Sequence, residues 1–435
     1  MSMSRPHTAR RHSRRAFLGG LAMLPAAGAG RPHARGPGQT TPAGYLHQGR
    51  VDERPHAVID RGLMIDRIDT FVRGALGLVR IRTSDGREGW GQVAPYEPAI
   101  TVDVLHRLVA PHVLGRDPAD IDTIVDRAVE ANHKYPWSFV CRALCGVDTA
   151  IWDLYGQVRG QSVAALAGAT RKEVPAYGSS MRRDISPADE GGRLARLHDA
   201  HGFRAFKIRV GREVGRDGDA APGRTEAIIP AVRAAVGRDV ELFADANSCY
   251  TPPKAIEVGR RLEDAGYTMF EEPCPYWELE WTAEVARTLT IPVSGGEQDN
   301  DLAQWRRMLA MRAVDITQPD ICYVGGFTRA LRVARLAERA RVPVVPHSAN
   351  VSLVEVFSLH LMAAAPNAGG FLEHTIEGDA AINRLSAGMY EPQLAVQDGR
   401  VRVPDGPGWG VRIKPAWLDA AERRASARSD SRRSG

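Results

Sequence analysis

Three carboxylates recur along the chain, each at the end of a short apolar run and about one strand-and-helix repeat from the next. Asp245 closes Phe243-Ala244-Asp245, ahead of Ala246-Asn247. Glu271 follows Met269-Phe270 and precedes Glu272-Pro273, and Glu297 follows Ile291-Pro292-Val293-Ser294-Gly295-Gly296. Acids at the C-terminal ends of successive parallel strands converge, and in a (β/α)8 barrel that end is where chemistry is done. Three convergent carboxylates with no soft ligand among them suit a hard divalent cation, Mg2+ before others. Any one of them alone would read as a solvated loop acid; all three following strands in register argues for a shared task.

Two further strand ends continue the series. Asp320 closes Val314-Asp315-Ile316-Thr317-Gln318-Pro319-Asp320, and His347 closes Val342-Pro343-Val344-Val345-Pro346-His347 one unit later. An Asp beside a His fixes the imidazole tautomer and raises its basicity, which prepares a general base. Upstream, the alternation of Phe203 to Arg209 sends Lys207 and Arg209 to the same side of a strand. Two cations then face three acids.

The elements that must hold these residues are legible as a repeat. From Val174 onward, strands are expected at 206–210, 241–245, 269–271, 292–294, 316–318 and 344–345, with amphipathic helices between them. That alternation dictates parallel strands, here a closed α/β barrel. Before it, apolar alternation from Met64 to Val93, broken at Gly74 to Gly77 and at Ser84-Asp85-Gly86, predicts a three-stranded antiparallel sheet. Helices are expected at 101–114, 120–132 and 139–158. Residues 30–61 read as a linker and surface arm, and Ala420 to Gly435, Ser- and Arg-rich with little to bury, are expected to be disordered.

The order Lys-x-Arg (207–209), Asp-x-Asn (245–247), Glu-Glu-Pro (271–273), Gly-Glu (296–297), Asp320 with Gly-Gly after it, and Pro-His (346–347) resembles the enolase superfamily, in its mandelate racemase/muconate lactonizing enzyme group. The resemblance runs from about Arg61 to Lys414 and includes Asp85-Gly86-Arg87-Glu88-Gly89-Trp90-Gly91 and Gly146-Val147-Asp148-Thr149-Ala150-Ile151-Trp152-Asp153-Leu154. It implies a modified TIM barrel, (β/α)7β, over 174–378. An N-terminal α+β capping domain over 62–173 would be completed by a returning segment at 379–415, with a tail at 416–435. It also implies that Asp245, Glu271 and Glu297 bind Mg2+ and that His347 with Asp320 forms the base dyad. Glu373, in Gly370-Phe371-Leu372-Glu373-His374, would lie by the substrate carboxylate, protonated so that it can donate. Lys207 would hold that carboxylate and Asn247 would bond a substrate hydroxyl. Relatives are commonly multimers, so a homo-oligomer is expected.

Arg209 departs from the racemase pattern, which places a second Lys there as the base on the opposite face. An Arg does not deprotonate at working pH. His347 is then the one evident base. This suits removal of the proton alpha to a carboxylate, a metal-stabilised enediolate and loss of the beta-hydroxyl. The reading is a dehydratase of acid sugars giving 2-keto-3-deoxy acids. A racemase, epimerase or lyase of another carboxylate is the alternative, and a binding protein without turnover the third class. Arg209 itself would either contact substrate or pair with Asp245 or Glu271. The short Gly74-Ala75-Leu76-Gly77 connection leaves little of the family's usual lid, for which the arm at 41–60 is a candidate substitute.

Composition bounds the partners. The formal charge of +5 belongs to the ends: residues 1–40 hold seven Arg and no acid, whereas 41–415 carry 45 bases against 49 acids. No basic face therefore supports nucleic-acid binding. Within the basic start, Ser13-Arg14-Arg15-Ala16-Phe17-Leu18, a short apolar run and Ala27-Gly28-Ala29 resemble a twin-arginine export signal cleaved near Ala29. Export to the periplasm or beyond is expected, with no segment long enough to span a membrane. The five Cys form no metal or redox pattern. Cys141 and Cys145 read as core residues, while Cys274 and Cys322 could approach the pocket.

Overall fold

The computed structural model describes residues 62–428; the signal expected at 1–29, the arm at 30–61 and residues 429–435 of the tail lie outside the described residues. Strands β1 (Ile65–Arg73), β2 (Leu76–Thr83) and β3 (Glu88–Gln92) form an antiparallel meander, the first pair joined by the tight Gly74-Ala75 turn. Ile68, Val79 and Ile81 alternate onto its buried face. The helix Trp137–Arg159 packs across that face at close range: a Cβ on Gly91 would stand 2.3 Å from the carbonyl of Gly146. A side chain at Gly91 would push helix and sheet apart.

The sheet has four strands rather than the expected three. Glu422–Ala427, placed in sequence analysis within a disordered tail, pairs antiparallel with β1, Ile68 opposite Ser426. Its residues are almost all exposed, so no apolar periodicity announces it. Polar contacts hold it instead. Arg423 reaches Asp69 at 3.0 Å, Arg424 reaches Asp103 at 2.8 Å, and Ser426 Oγ lies 2.7 Å from His106 Nδ1.

The barrel follows. β4 (Glu173–Ser179), β5 (Ala205–Arg209), β6 (Glu241–Asp245), β7 (Met269–Glu271), β8 (Val293–Gly295) and β9 (Ile316–Thr317) pair parallel in sequence order. The seventh position is a single residue, Val344, bridged to Thr317 and Ala368, and β10 (Leu372–Thr375) pairs with β4. Helices Pro187–His201, Arg224–Val236, Pro252–Asp264, Leu279–Thr288, Leu302–Met311, Phe327–Ala340 and Leu353–Ala364 cover the strands. The architecture is (β/α)7β. After β10 the chain turns back, Arg400–Arg402 pairing with β4 and Trp409 donating its indole N–H to Thr149 of the capping helix.

Strand periodicity sorts the barrel residues by direction. Phe206, Ile208, Leu242, Ala244 and Phe270 face outward into one apolar cluster under the helices. Tyr177, Ala205, Phe243, Met269 and Val345 face inward as an apolar floor. Each of the larger aliphatic and Phe side chains taken from water contributes roughly 1.5–3 kcal/mol, and the floor seals the barrel below the charged layer above it. No helix among the described residues is long and apolar enough to cross a membrane.

Candidate active site

One step above the floor, the same alternation builds a charged layer. Lys207 stands opposite Ser179, Arg209 opposite Asp245, and Asp245 opposite Glu271. All of these side chains are buried. Lys207 Nζ donates to Glu271 Oε1 at 2.6 Å and lies 2.8 Å from Glu373 Oε1 and 3.7 Å from Asp245 Oδ2. Burial opposes its charge, but the Glu271 and Glu373 carboxylates outweigh that and hold the ammonium above its ordinary pKa. Lys207 is thus held as an ammonium between the two carboxylates.

Glu373, expected to be protonated when it donates to a substrate carboxylate, is here surrounded by donors. Its oxygens accept from Ser179 Oγ at 2.8 Å, from the Ser348 N–H at 2.8 Å and from Lys207. Burial pushes the carboxyl up, yet Lys207 and His347 outweigh it and hold Glu373 below the usual carboxylate range. Saturated with donors, it orients Lys207 as an ionised acceptor.

Arg209 takes the ion-pair alternative. One guanidinium nitrogen serves both Asp245 and the Asn247 side-chain oxygen, Nε donates to the Ser180 carbonyl at 2.9 Å, and Nη2 faces Met181 Sδ. These contacts engage four of its five N–H groups, one of them against a thioether, and leave a single N–H on Nη2 for the expected substrate contact. Asn247, in the left-handed region at φ 41°, also accepts from Arg183 Nη2 at 2.7 Å, and its own amide lies 3.3 Å from Asp245 Oδ2. Asn tolerates this conformation better than most residues.

Glu297 is delivered by a turn that only glycine allows. Gly296 has φ 109°, and a Cβ there would stand 2.4 Å from the Trp305 ring. Beyond it, Glu297 Oε1 accepts from Gln298 Nε2 at 3.0 Å and Oε2 lies 3.3 Å from His347 Nε2. His347 Nδ1 lies 2.8 Å from Asp320 Oδ2. Asp320 does not lie within a strand; it caps the short helix Ile321–Val324, and Oδ1 accepts the N–H groups of Cys322 and Tyr323 at 2.7 and 3.0 Å. The carboxylate is thereby fixed, Nδ1 carries the proton, and Nε2 is the working nitrogen. Burial disfavours the imidazolium, but Glu297 and Asp320 outweigh it and push His347 up to about 10.

Several site residues escaped sequence reasoning. Gln318 Nε2 donates to Glu271 Oε2 at 2.6 Å; it sits two residues before Asp320, and that spacing was the available signal. Ser179, Ser348 and Arg183 carried none. Cys274 and Cys322, like the other Cys residues, are buried free thiols.

The donor set fits a hard cation. Asp245, Glu271, Glu272, Glu297, Asp320 and Glu373 are buried, as are Lys207, Arg209 and His347, and Glu272 Oε1 is buried without a hydrogen-bond partner. Burial, then Glu297 and Glu271, push the Glu272 carboxyl well above its usual range. Among the described residues no three acid, His or Cys side chains already stand as a closed ligand cluster. Asp245 Oδ2 takes donors from Arg209 and Asn247, whereas Glu271 leans on Lys207 and Gln318 through one oxygen each and keeps a second lone pair on both.

Fold and site together define a capped barrel enzyme with an acid-rich centre at the strand C-termini. Residues 66–168 match the mandelate racemase/muconate lactonizing enzyme N-terminal domain, and residues 191–417 match the enolase C-terminal domain-like family. The chain belongs to the mandelate racemase/muconate lactonizing enzyme group of the enolase superfamily. It is 33% identical to a D-galactarolactone cycloisomerase of Agrobacterium fabrum, over 81% of this chain and 94% of that one. To an arabinonate dehydratase of Saccharolobus solfataricus it is 29% identical, over 77% and 87%. A crystal structure from Roseobacter denitrificans, provisionally called a racemase, superposes with TM-score 0.82 at 52% identity, covering 84% of this chain and all of that one. L-talarate dehydratase from Polaromonas, solved with Mg and L-glucarate, superposes with TM-score 0.73 at 25% identity, covering 85% and 100%.

Proposed function

We propose that this chain is an exported Mg2+-dependent dehydratase of an acid sugar. The observation that carries the reaction type is the His347–Asp320 dyad, set among described residues in which Lys207 is paired with Glu271 and Arg209 with Asp245. Asp245, Glu271 and Glu297 would hold Mg2+, which supplies fixed positive charge where a substrate carboxylate gains negative charge. Lys207, oriented by Glu373 and Glu271, adds a second positive charge at that end. With Glu297 committed to the cation, the carboxylate that does most to hold His347 as an imidazolium is withdrawn, and Nε2 of the neutral ring would remove the alpha proton. The imidazolium then gives a proton to the departing beta-hydroxyl, so one water leaves and the enol product becomes a 2-keto-3-deoxy acid. The dehydratases among the relatives support this reading.

A racemase is the second reading, favoured by the provisional description of the Roseobacter structure. It needs a base on each face of the substrate, and Arg209 occupies the position where the second would stand. Screening acid sugars for 2-keto-3-deoxy product by semicarbazide absorbance tests the dehydratase; epimerised acid without keto product would overturn it. Export rests on Ser13 to Leu18. Replacing Arg14 and Arg15 with Lys retains an exported protein in the cytoplasm, and equal extracytoplasmic amounts of both forms would contradict that route.

A further inference from the structure

Beside the charged layer lies a cavity of 460 Å3, within the roughly 300–1,000 Å3 usual for small-molecule sites. Its walls come from the start of the capping helix Trp137–Arg159, the segment after β7 and the turn after β8. Three aromatic rings line it although they are open to solvent: Phe139 at 48%, Tyr276 at 39% and Trp277 at 53%. Grouped exposed rings around a concavity mark a binding groove more than scattered surface residues do. Tyr276 and Trp277 meet edge to face with centroids 5.0 Å apart, so each holds the other in place.

The polar lining is equally specific. Asp299 is 7% exposed and lines the cavity, and its Oδ2 is buried with no hydrogen-bond partner. Oδ2 is shut in by protein, so a ligand hydroxyl that enters the cavity meets this carboxyl at its other oxygen, Oδ1. Arg142 is fixed, its guanidinium 3.5 Å from the Tyr323 ring centroid and Nη2 3.1 Å from Gln298 Oε1. Aromatic faces that meet C–H groups, beside a carboxylate that accepts from hydroxyls, suit a neutral pyranose ring. The cavity adjoins the reacting centre, because Gln298 also donates to Glu297 at 3.0 Å and the Tyr323 ring lies 6.1 Å from that of His347.

We propose that this cavity is a glycosyl subsite, and that the substrate is an aldonic acid still carrying a pyranose, an aldobionic acid. The acid end, which rests on the dehydratase reading above, occupies the charged layer. The sugar ring lies on Trp277, Tyr276 and Phe139, with its hydroxyls donating to Asp299. The chemistry permits the substituent: loss of the C2 proton and the C3 hydroxyl removes one water and leaves a glycosidic bond at O4 intact.

The test is calorimetry on the full chain in Mg2+ with lactobionate, cellobionate and maltobionate, each a 4-O-glycosyl gluconate, against gluconate itself. At least one aldobionate binds about tenfold or more tighter than gluconate, and Trp277→Ala erases that difference. Equal affinities, or a difference that survives Trp277→Ala, would overturn the subsite. So would dissociation of a wild-type oligomer by Trp277→Ala in light scattering, which would make the aromatic wall a subunit contact. Trp277-dependent tighter binding without any keto product would leave the subsite standing and remove the dehydratase reading instead.

Discussion

His347 Nδ1 lies 2.8 Å from Asp320 Oδ2, and two backbone N–H groups bind the other oxygen of that carboxylate. Asp320 cannot rotate away without abandoning the cap of the helix that follows it. The dyad is thus built into the backbone, and Nε2 is left as the one proton carrier facing Glu297.

From that geometry, His347→Asn abolishes formation of keto acid and exchange of the alpha proton alike. Asp320→Asn lowers kcat by about 10²–10⁴-fold, because the amide holds the wrong tautomer and withholds the charge. Product formation by semicarbazide absorbance reads the first quantity and proton NMR in D2O the second. Circular dichroism confirms that both variants are folded.

The acid-rich layer predicts metal dependence. Asp245→Asn, Glu271→Gln and Glu297→Gln each remove one charged oxygen from the cation, so each weakens Mg2+ binding in calorimetry and removes activity. Full activity after exhaustive chelation would contradict the assignment. Glu297→Gln leaves no Lys or Arg unpaired, whereas Asp245 and Glu271 also neutralise Arg209 and Lys207; because Glu297 also stands beside His347, Mg2+ binding rather than activity is the quantity that reads the metal site in this variant.

The legible part of the site is the part that strand periodicity governs. Lys207, Asp245 and Glu271 occur at inward positions of apolar strands, and alternation alone fixes their common direction. Residues on loops and turns have no such rule. Arg183 reaches Asn247 from the loop after β4, and Asp320 works from a helix cap, an arrangement that periodicity does not encode. The strand Glu422–Ala427 was hidden for a related reason: sequence patterns report burial, and this strand buries almost nothing. Its ladder and its Arg–Asp pairs depend on partners more than 300 residues away.

Asp148 gives a prediction about stability. It is wholly buried in the capping helix, and one oxygen accepts the Thr328 N–H at 3.2 Å. Burial pushes its carboxyl from 3.8 up to about 7. In that window the folded chain keeps a proton that the unfolded chain releases, so this contribution is full below 3.8 and is lost as pH rises through 7. His106 acts oppositely. Burial lowers it from 6.5 to about 4, and its contribution is lost as pH falls through that range. The informative comparison is therefore between variant and wild type. Asp148→Asn removes the loss on raising pH and gains on wild type between pH 5 and pH 8 in urea unfolding. A difference independent of pH would contradict it.

The one-base account is tested most directly by turnover in D2O with the acid sugar that the screen identifies. Mass spectrometry and NMR of recovered substrate then show alpha deuterium only with retained configuration, or none, because His347 serves a single face. Arg209→Lys is the companion, since it would place an ionisable amine at the opposite position. Recovered substrate of inverted configuration carrying alpha deuterium from the wild-type enzyme would establish a second base and replace the dehydratase with a racemase.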